Sequence, residues 1–174
     1  MNYQGLNKTN MKILQNICFI LLLSTFSSAY AGSCFKAPYD DAADCRMKAK
    51  QGDAQAQFNL GFMYDNEKGV LQDYKEAVRW YTKSAEQGDA IAQNKLGLMH
   101  VKGQGVPKDY VMAHMYWNIA AVSGIEDAIK NRGTVEKQMT SSQLAEAQKL
   151  AREWMSKHLV HWVLDSIASK SMFG

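Results

Sequence analysis

Fifteen of the 36 positions in residues 51–86 recur in register in residues 87–122. A unit of this length is too small to bury a core alone, so copies must stack on one another. The matches fall in blocks. Gly52, Asp53, Ala54, Ala56, Gln57, Leu60, Gly61 and Met63 return as Gly88, Asp89, Ala90, Ala92, Gln93, Leu96, Gly97 and Met99. Gly69-Val70 and Asp73-Tyr74 return as Gly105-Val106 and Asp109-Tyr110, and Trp80-Tyr81 returns reversed as Tyr116-Trp117. Neither copy shows alternating apolar and polar residues or a Pro-rich stretch, so the period predicts an all-α solenoid of helix–loop–helix units, with capping helices at both ends.

Local chemistry places the helices. Ala56, Leu60, Met63 and Tyr64 fall at i, i+4, i+7 and i+8, one stripe of a helix, as do Ala77, Trp80, Tyr81, Ser84 and Ala85. Gly52 and Gly88 stand where one helix must end, and Asp53 and Asp89 follow in position to cap the next. The Gly-Val stretch with Gln72-Asp73 or Lys108-Asp109 forms the loop inside each unit, and Pro107 precludes a helix there. Gly61 and Gly97 lie within helices, where glycine costs about 1 kcal/mol relative to alanine. Its use at one place in both copies predicts a close helix–helix approach, with the aromatic pair of the second helix packed nearby.

The array divides into a leader (1–31), an N-terminal half-repeat cap (32–50), repeat 1 (51–86), repeat 2 (87–123), a degenerate third repeat (124–139) and a closing helix with its tail (140–174). Ala128 is in phase with Ala56 and Ala92, and Thr140-Ser141-Ser142-Gln143 reads as a capping box. Beyond it Leu144, Ala147, Ala151, Trp154, Met155 and His158 share one helix face. Trp162, Val163 and Ile167 continue in loose helical phase.

Residues 1–31 have the order of a secretory signal: Lys8 and Lys12, an apolar run from Ile17 to Leu23, then Ala29-Tyr30-Ala31. Cleavage is expected after Ala31, and Met11 is an alternative start. The run is shorter than the roughly 20 residues that span a bilayer, so no transmembrane segment is expected in the mature chain. Losing Lys8 and Lys12 lowers the net charge from +3 to +1. That balance, without clustered Lys and Arg, argues against nucleic acid as a partner. The chain is expected to be exported, periplasmic or secreted from a bacterium, as a monomer or weak oligomer. In that compartment Cys34 and Cys45 are expected to form a disulfide. Two free thiols, or lipidation of Cys34 after the loosely matching Ala31-Gly32-Ser33, are the alternatives.

The stretch DAQAQFNLGFMYDNEKGVLQDYKEAVRWYTKSAEQG (Asp53–Gly88) resembles the Sel1-like repeat, a relative of the tetratricopeptide repeat with a slightly longer unit. The match is strong over Gly52–Gly124 and weaker over Tyr39–Gln51 and the third unit. Met139–Trp154 resembles the closing helix of bacterial members. The resemblance implies an α-solenoid that binds other proteins as an adaptor. One cysteine-rich secreted branch of that family is associated with penicillin binding and hydrolysis, which makes a small envelope hydrolase the alternative function. In that branch every repeat carries a cysteine pair, whereas residues 51–122 contain no cysteine.

The chain's one Ser-x-x-Lys, Ser33 to Lys36, lies ahead of the repeats; within residues 51–122 none occurs, so a β-lactam-type nucleophile there has no lysine one turn away. His158 and His161 stand at i, i+3 but lack a third ligand at a metal-binding spacing. Gly103-Gln104-Gly105 follows a helix and reads as a turn. Trp80, Trp117 and Trp154 fit core packing, which leaves Trp162 unassigned. No catalytic residue, metal or cofactor is therefore expected. Candidate partner-binding residues are those that differ between otherwise matched first helices: Gln55, Phe58, Asn59 and Phe62, and their counterparts Ile91, Asn94, Lys95 and Leu98. They fall roughly opposite the Ala56/Leu60/Met63 stripe. There they would line the concave face of a solenoid as an apolar groove for a protein or peptide.

Overall fold

The computed structural model describes residues 42–171, with side chains as far as His158. Expectations about the leader, Cys34 and the side chains of His161 and Trp162 lie outside the described residues. Seven helices and no strand occur among the described residues: α1 (Ala42–Lys50), α2 (Ala54–Asn66), α3 (Tyr74–Glu86), α4 (Ala90–Lys102), α5 (Tyr110–Val122), α6 (Glu126–Glu136) and α7 (Ser141–Ser171). Through α6 each packs on the next in chain order. The helices α2–α3 and α4–α5 are the two matched hairpins, α1 is a half-unit before them, and α6 is a lone first helix after them. α7 folds back onto α5.

Each hairpin helix opens on an aspartate. Asp53 accepts from Ala56 N–H at 2.7 Å, and Asp73 from the N–H groups of Lys75 and Glu76. Asp89 serves Ile91 and Ala92, and Asp109 serves Val111 and Met112. Capping by Asp73 and Asp109 extends the sequence reading, which placed both in the loop. The units are joined through glycines with positive φ: Gly52 at 98°, Gly88 at 92° and Gly124 at 78°. A buried amide then fastens each first helix to the helix before it. Gln57 Nε2 donates to Ala49 O at 3.1 Å, and Gln93 Nε2 to Ala85 O at 3.2 Å.

The helices approach closely because small residues line the seam. Ala56, Ala77, Ala85, Ala92, Ala113, Ala120 and Ala128 are all buried. A Cβ on Gly61 would lie 2.7 Å from the Tyr81 ring, and one on Gly97 would lie 2.5 Å from Trp117 Nε1. The expected close approach is therefore present, and the aromatic that makes it is the second of each reversed pair. The reversal is compensated across the hairpin. Phe58 sets its ring 5.5 Å from Tyr81, whereas the larger Trp117 faces Asn94 and donates to its carbonyl at 3.3 Å.

The third unit is degenerate in physical detail. Ala128 is fully buried, but Ile125 stands where Asp53 and Asp89 cap and makes no side-chain cap bond. Ile129, 46% exposed, replaces the amide of Gln57 and Gln93. The missing second helix is replaced by α7, whose capping box forms as expected. Gln143 Oε1 accepts from Thr140 N–H at 2.9 Å, and Thr140 Oγ accepts from Gln143 N–H at 3.3 Å. α7 covers the outer face of α5. At positions where α3 carries Glu76, Arg79 and Lys83, α5 carries Met112, Met115 and Ile119, which pack with Leu150, Ala151, Trp154 and Met155. His158 stacks on Trp154 at 3.9 Å, so it belongs to this packed face.

One position offers a test of local strain. α4 ends on Gly103 with φ 67°, while α2 ends on Glu67 with φ 56°. A left-handed backbone costs an L-residue about 1–2 kcal/mol, partly offset by the extra entropy glycine loses on folding. Glu67→Gly is expected to stabilise the chain by about 0.5–1 kcal/mol, read as a melting temperature raised by roughly 2–3 °C. An unchanged or lower value would show that Glu67 makes a compensating contact.

Candidate protein-interaction face

The first helices bury more than the one stripe read from the sequence. Ala56, Gln57, Leu60, Gly61 and Met63 are buried on α2, as are Ala92, Gln93, Leu96, Gly97 and Met99 on α4. Part of what remains at the surface is a stripe at i, i+4, i+7 and i+11, in which Asn59 is the one buried member. On α2 it reads Gln55, Asn59, Phe62, Asn66; on α4, Ile91, Lys95, Leu98, Lys102; on α6, Asp127, Asn131 and Thr134, with Gln138 just after the helix.

The eight candidate residues divide between this stripe and the hairpin interior. Gln55 and Ile91 are exposed, the latter by 52%. Phe62, Lys95 and Leu98 are half-buried, and Lys95 Nζ lies 5.9 Å above the Phe62 ring. Asn59 sits in the stripe but is only 7% exposed, and its Oδ1 accepts from Gln55 Nε2 at 3.0 Å. Phe58 and Asn94 are turned inward, against Tyr81 and Trp117. Asn94 is 9% exposed, and its Oδ1 is buried without a hydrogen bond. The two inward positions differ between units because the aromatics opposite them differ. The stripe also brings in Asn66 and Lys102, which the sequence comparison missed. The signal for them was the i+4 spacing beyond Phe62 and Leu98.

The polar interior has structural partners. His114 is buried, and its Nε2 lies 2.8 Å from Glu136 Oε1, which ties α5 to α6. Burial pushes the tyrosine hydroxyls of Tyr81 and Tyr116 above their usual range and holds His100 below its own. His100 stacks on Tyr116 with ring centroids 5.6 Å apart. Among the described residues no group of three or more His, Cys, Asp or Glu side chains could hold a metal ion. No helix among them is long and apolar enough to cross a membrane.

The Sel1 repeat family matches residues 54–89 and 90–124. Its frame starts three residues after the frame of the internal repeat, at the first helical residue after each capping aspartate. Among solved structures, one similar chain is c5321, a protective antigen present in uropathogenic Escherichia coli strains that displays an SLR fold. It is 35% identical with a TM-score of 0.66, over 68% of this chain and 26% of that one. A Sel1 repeat protein from Oxalobacter formigenes is 39% identical with a TM-score of 0.52, over 53% of this chain and 37% of that one. This chain therefore spans only about a quarter to a third of the length of these neighbours. No curated protein matches it. Repeats of this kind typically serve protein–protein interaction. Two successive hairpins with aspartate caps, a small-residue seam and a glycine under each aromatic are two Sel1 repeats, at residues 54–89 and 90–124 of this chain.

Proposed function

We propose that the chain is an exported adaptor that holds a protein or peptide against the exposed stripe of its first helices. One observation carries the reading. Within the first helices five of the six positions shared by the two units are buried, while Phe62, Ile91, Lys95 and Leu98, which differ between the units, keep solvent access. A row of apolar side chains among amides and lysines suits a peptide or helix, whose apolar residues anchor while its polar groups fix register. Export rests on the order of charge, apolar run and small residues in 1–31, and a Cys34–Cys45 bond would suit that compartment. Cys45 is fully buried on α1, where a cross-link would hold the half-unit closed. The lack of both cysteine and a Ser-x-x-Lys pair in 51–122 counts against the hydrolase alternative.

The test is capture from envelope extracts with the purified chain and a Phe62→Ser/Leu98→Ser variant. Both side chains also touch the core, so circular dichroism must first show that the variant is folded at the working temperature. The folded variant is expected to lose the partners that the native chain recovers. Recovery of the same partners would place the binding face elsewhere.

A further inference from the structure

The stripe on α4 carries two ammonium groups with no carboxylate to answer them. Among the described residues neither has one within 4.0 Å, as is also true of Lys50, Lys68, Lys75, Lys83 and Lys108; what sets Lys95 and Lys102 apart is that both stand in the stripe. Their neighbours in the stripe are neutral: carboxamides on α2, and Asn131 and Thr134 on α6 with Gln138 just after it, with Phe62 and Leu98 between. The one acid of the three stripes, Asp127, lies in the first turn of α6, where a carboxylate also answers the helix dipole. Seven residues separate Lys95 from Lys102, about 10.5 Å along the helix axis. We propose that this face takes an acidic peptide segment with two carboxylates about 10 Å apart, one for Lys95 and one for Lys102, and an apolar residue between them.

The spacing selects a simple ligand. In a polyproline-II conformation residues i and i+3 return to the same side after about 9 Å, so an acidic–x–x–acidic segment presents both carboxylates to one face. The two intervening residues turn to either side, where Phe62 and Leu98 offer apolar contacts. Lys95 already leans over the Phe62 ring, which places its ammonium at the boundary of the two units. A nucleic acid or an anionic membrane would call for more cations than these two. The inference rests on the binding face proposed above and adds the chemistry of its partner.

Fluorescence anisotropy of a labelled peptide, Gly-Ser-Glu-Leu-Phe-Glu-Ser-Gly, against the purified chain tests it. At about 50 mM salt the peptide is expected to bind about 100-fold tighter than its glutamine analogue, which lacks both carboxylates, the size of two charge-assisted hydrogen bonds. Lys95→Gln and Lys102→Gln are each expected to weaken it about 10-fold, and about 500 mM salt to weaken it further. Lys48→Gln, whose lysine pairs with Asp44 outside the stripe, is expected to change nothing. Equal binding of the glutamine analogue, or no effect of either stripe lysine, overturns the acidic partner. If Phe62→Ser/Leu98→Ser still abolished capture, the face itself would survive that result. Tighter binding to phosphatidylglycerol vesicles than to the peptide, lost in both lysine variants, overturns it in favour of a lipid surface. No binding of either peptide at millimolar concentration also overturns it.

Discussion

Gly97→Leu is expected to abolish folding at ambient temperature, and Gly97→Ala to destabilise the chain even though alanine is the better helix former. The helix-propensity gain of the alanine variant is about 1 kcal/mol. Against it stands a Cβ placed 2.5 Å from Trp117 Nε1 and 2.7 Å from its Cε2. Trp117 has no easy retreat: it is 3% exposed and bonded through Nε1 to the Asn94 carbonyl. Overpacking of this kind costs about 1–3 kcal/mol for small insertions, so alanine should come out net destabilising by about 1–2 kcal/mol. Leucine adds three more carbons to the same contact and should exceed the 5 kcal/mol or so that marks the low end of domain stability. Gly133 is the internal control. It occupies the same place on α6, but no second helix follows, and a Cβ there meets nothing within 4 Å. Gly133→Ala should therefore stabilise by up to about 1 kcal/mol. Melting curves of the three variants decide the matter. If Gly97→Ala and Gly133→Ala shifted the midpoint in the same direction, the glycine-under-aromatic contact would not be what holds the hairpin closed.

That contrast also shows what was legible in the sequence. A glycine kept twice within a helix announces that something large sits opposite, and the period names Tyr81 and Trp117 as its neighbours. The caps, the inter-unit glycines and the closing helix follow from local chemistry that each unit states for itself. The binding face was harder. Residues that differ between copies mix two causes that one sequence does not separate. Phe58 and Asn94 differ because the aromatics they meet differ, whereas Phe62, Lys95 and Leu98 keep one side to solvent. The outward stripe is narrow because these helices are contacted by the preceding unit as well as by their own partner, a three-body geometry that no single helical wheel contains. Covering of α5 by α7 was readable in principle. Glu76, Arg79 and Lys83 on α3 give way to Met112, Met115 and Ile119 on α5, an apolar outer face that requires a lid.

Gly105→Ala is expected to have the second largest effect, and it probes contact between units. Gly105 has φ 72°, and a Cβ there would stand 2.2 Å from Tyr74 O, 2.5 Å from Tyr74 C and 2.9 Å from Lys75 N. These are backbone atoms in the first turn of α3, a helix of the preceding unit, so relief requires the two hairpins to part. Gly103 isolates the backbone contribution. Its φ is 67°, but a Cβ there would meet its nearest atoms at 3.5 Å or more, and the first unit already tolerates Glu67 at that place. Gly103→Ala should cost about 1–2 kcal/mol, the left-handed penalty alone. Gly105→Ala should cost that and a steric share of about 1–3 kcal/mol besides. In a solenoid, stability is close to a sum of units and the interfaces between them, so a lesion confined to one interface can uncouple its neighbours. The signature expected of Gly105→Ala is therefore a lower midpoint with a broadened transition, against a shifted but equally sharp one for Gly103→Ala. Equal losses in the two variants would mean that the loop of the second hairpin does not seat on the first. Cooperativity would then have to pass through the α3–α4 seam alone, where Gln93 bonds to Ala85 O and Ser84 Oγ to the carboxylate of Asp89.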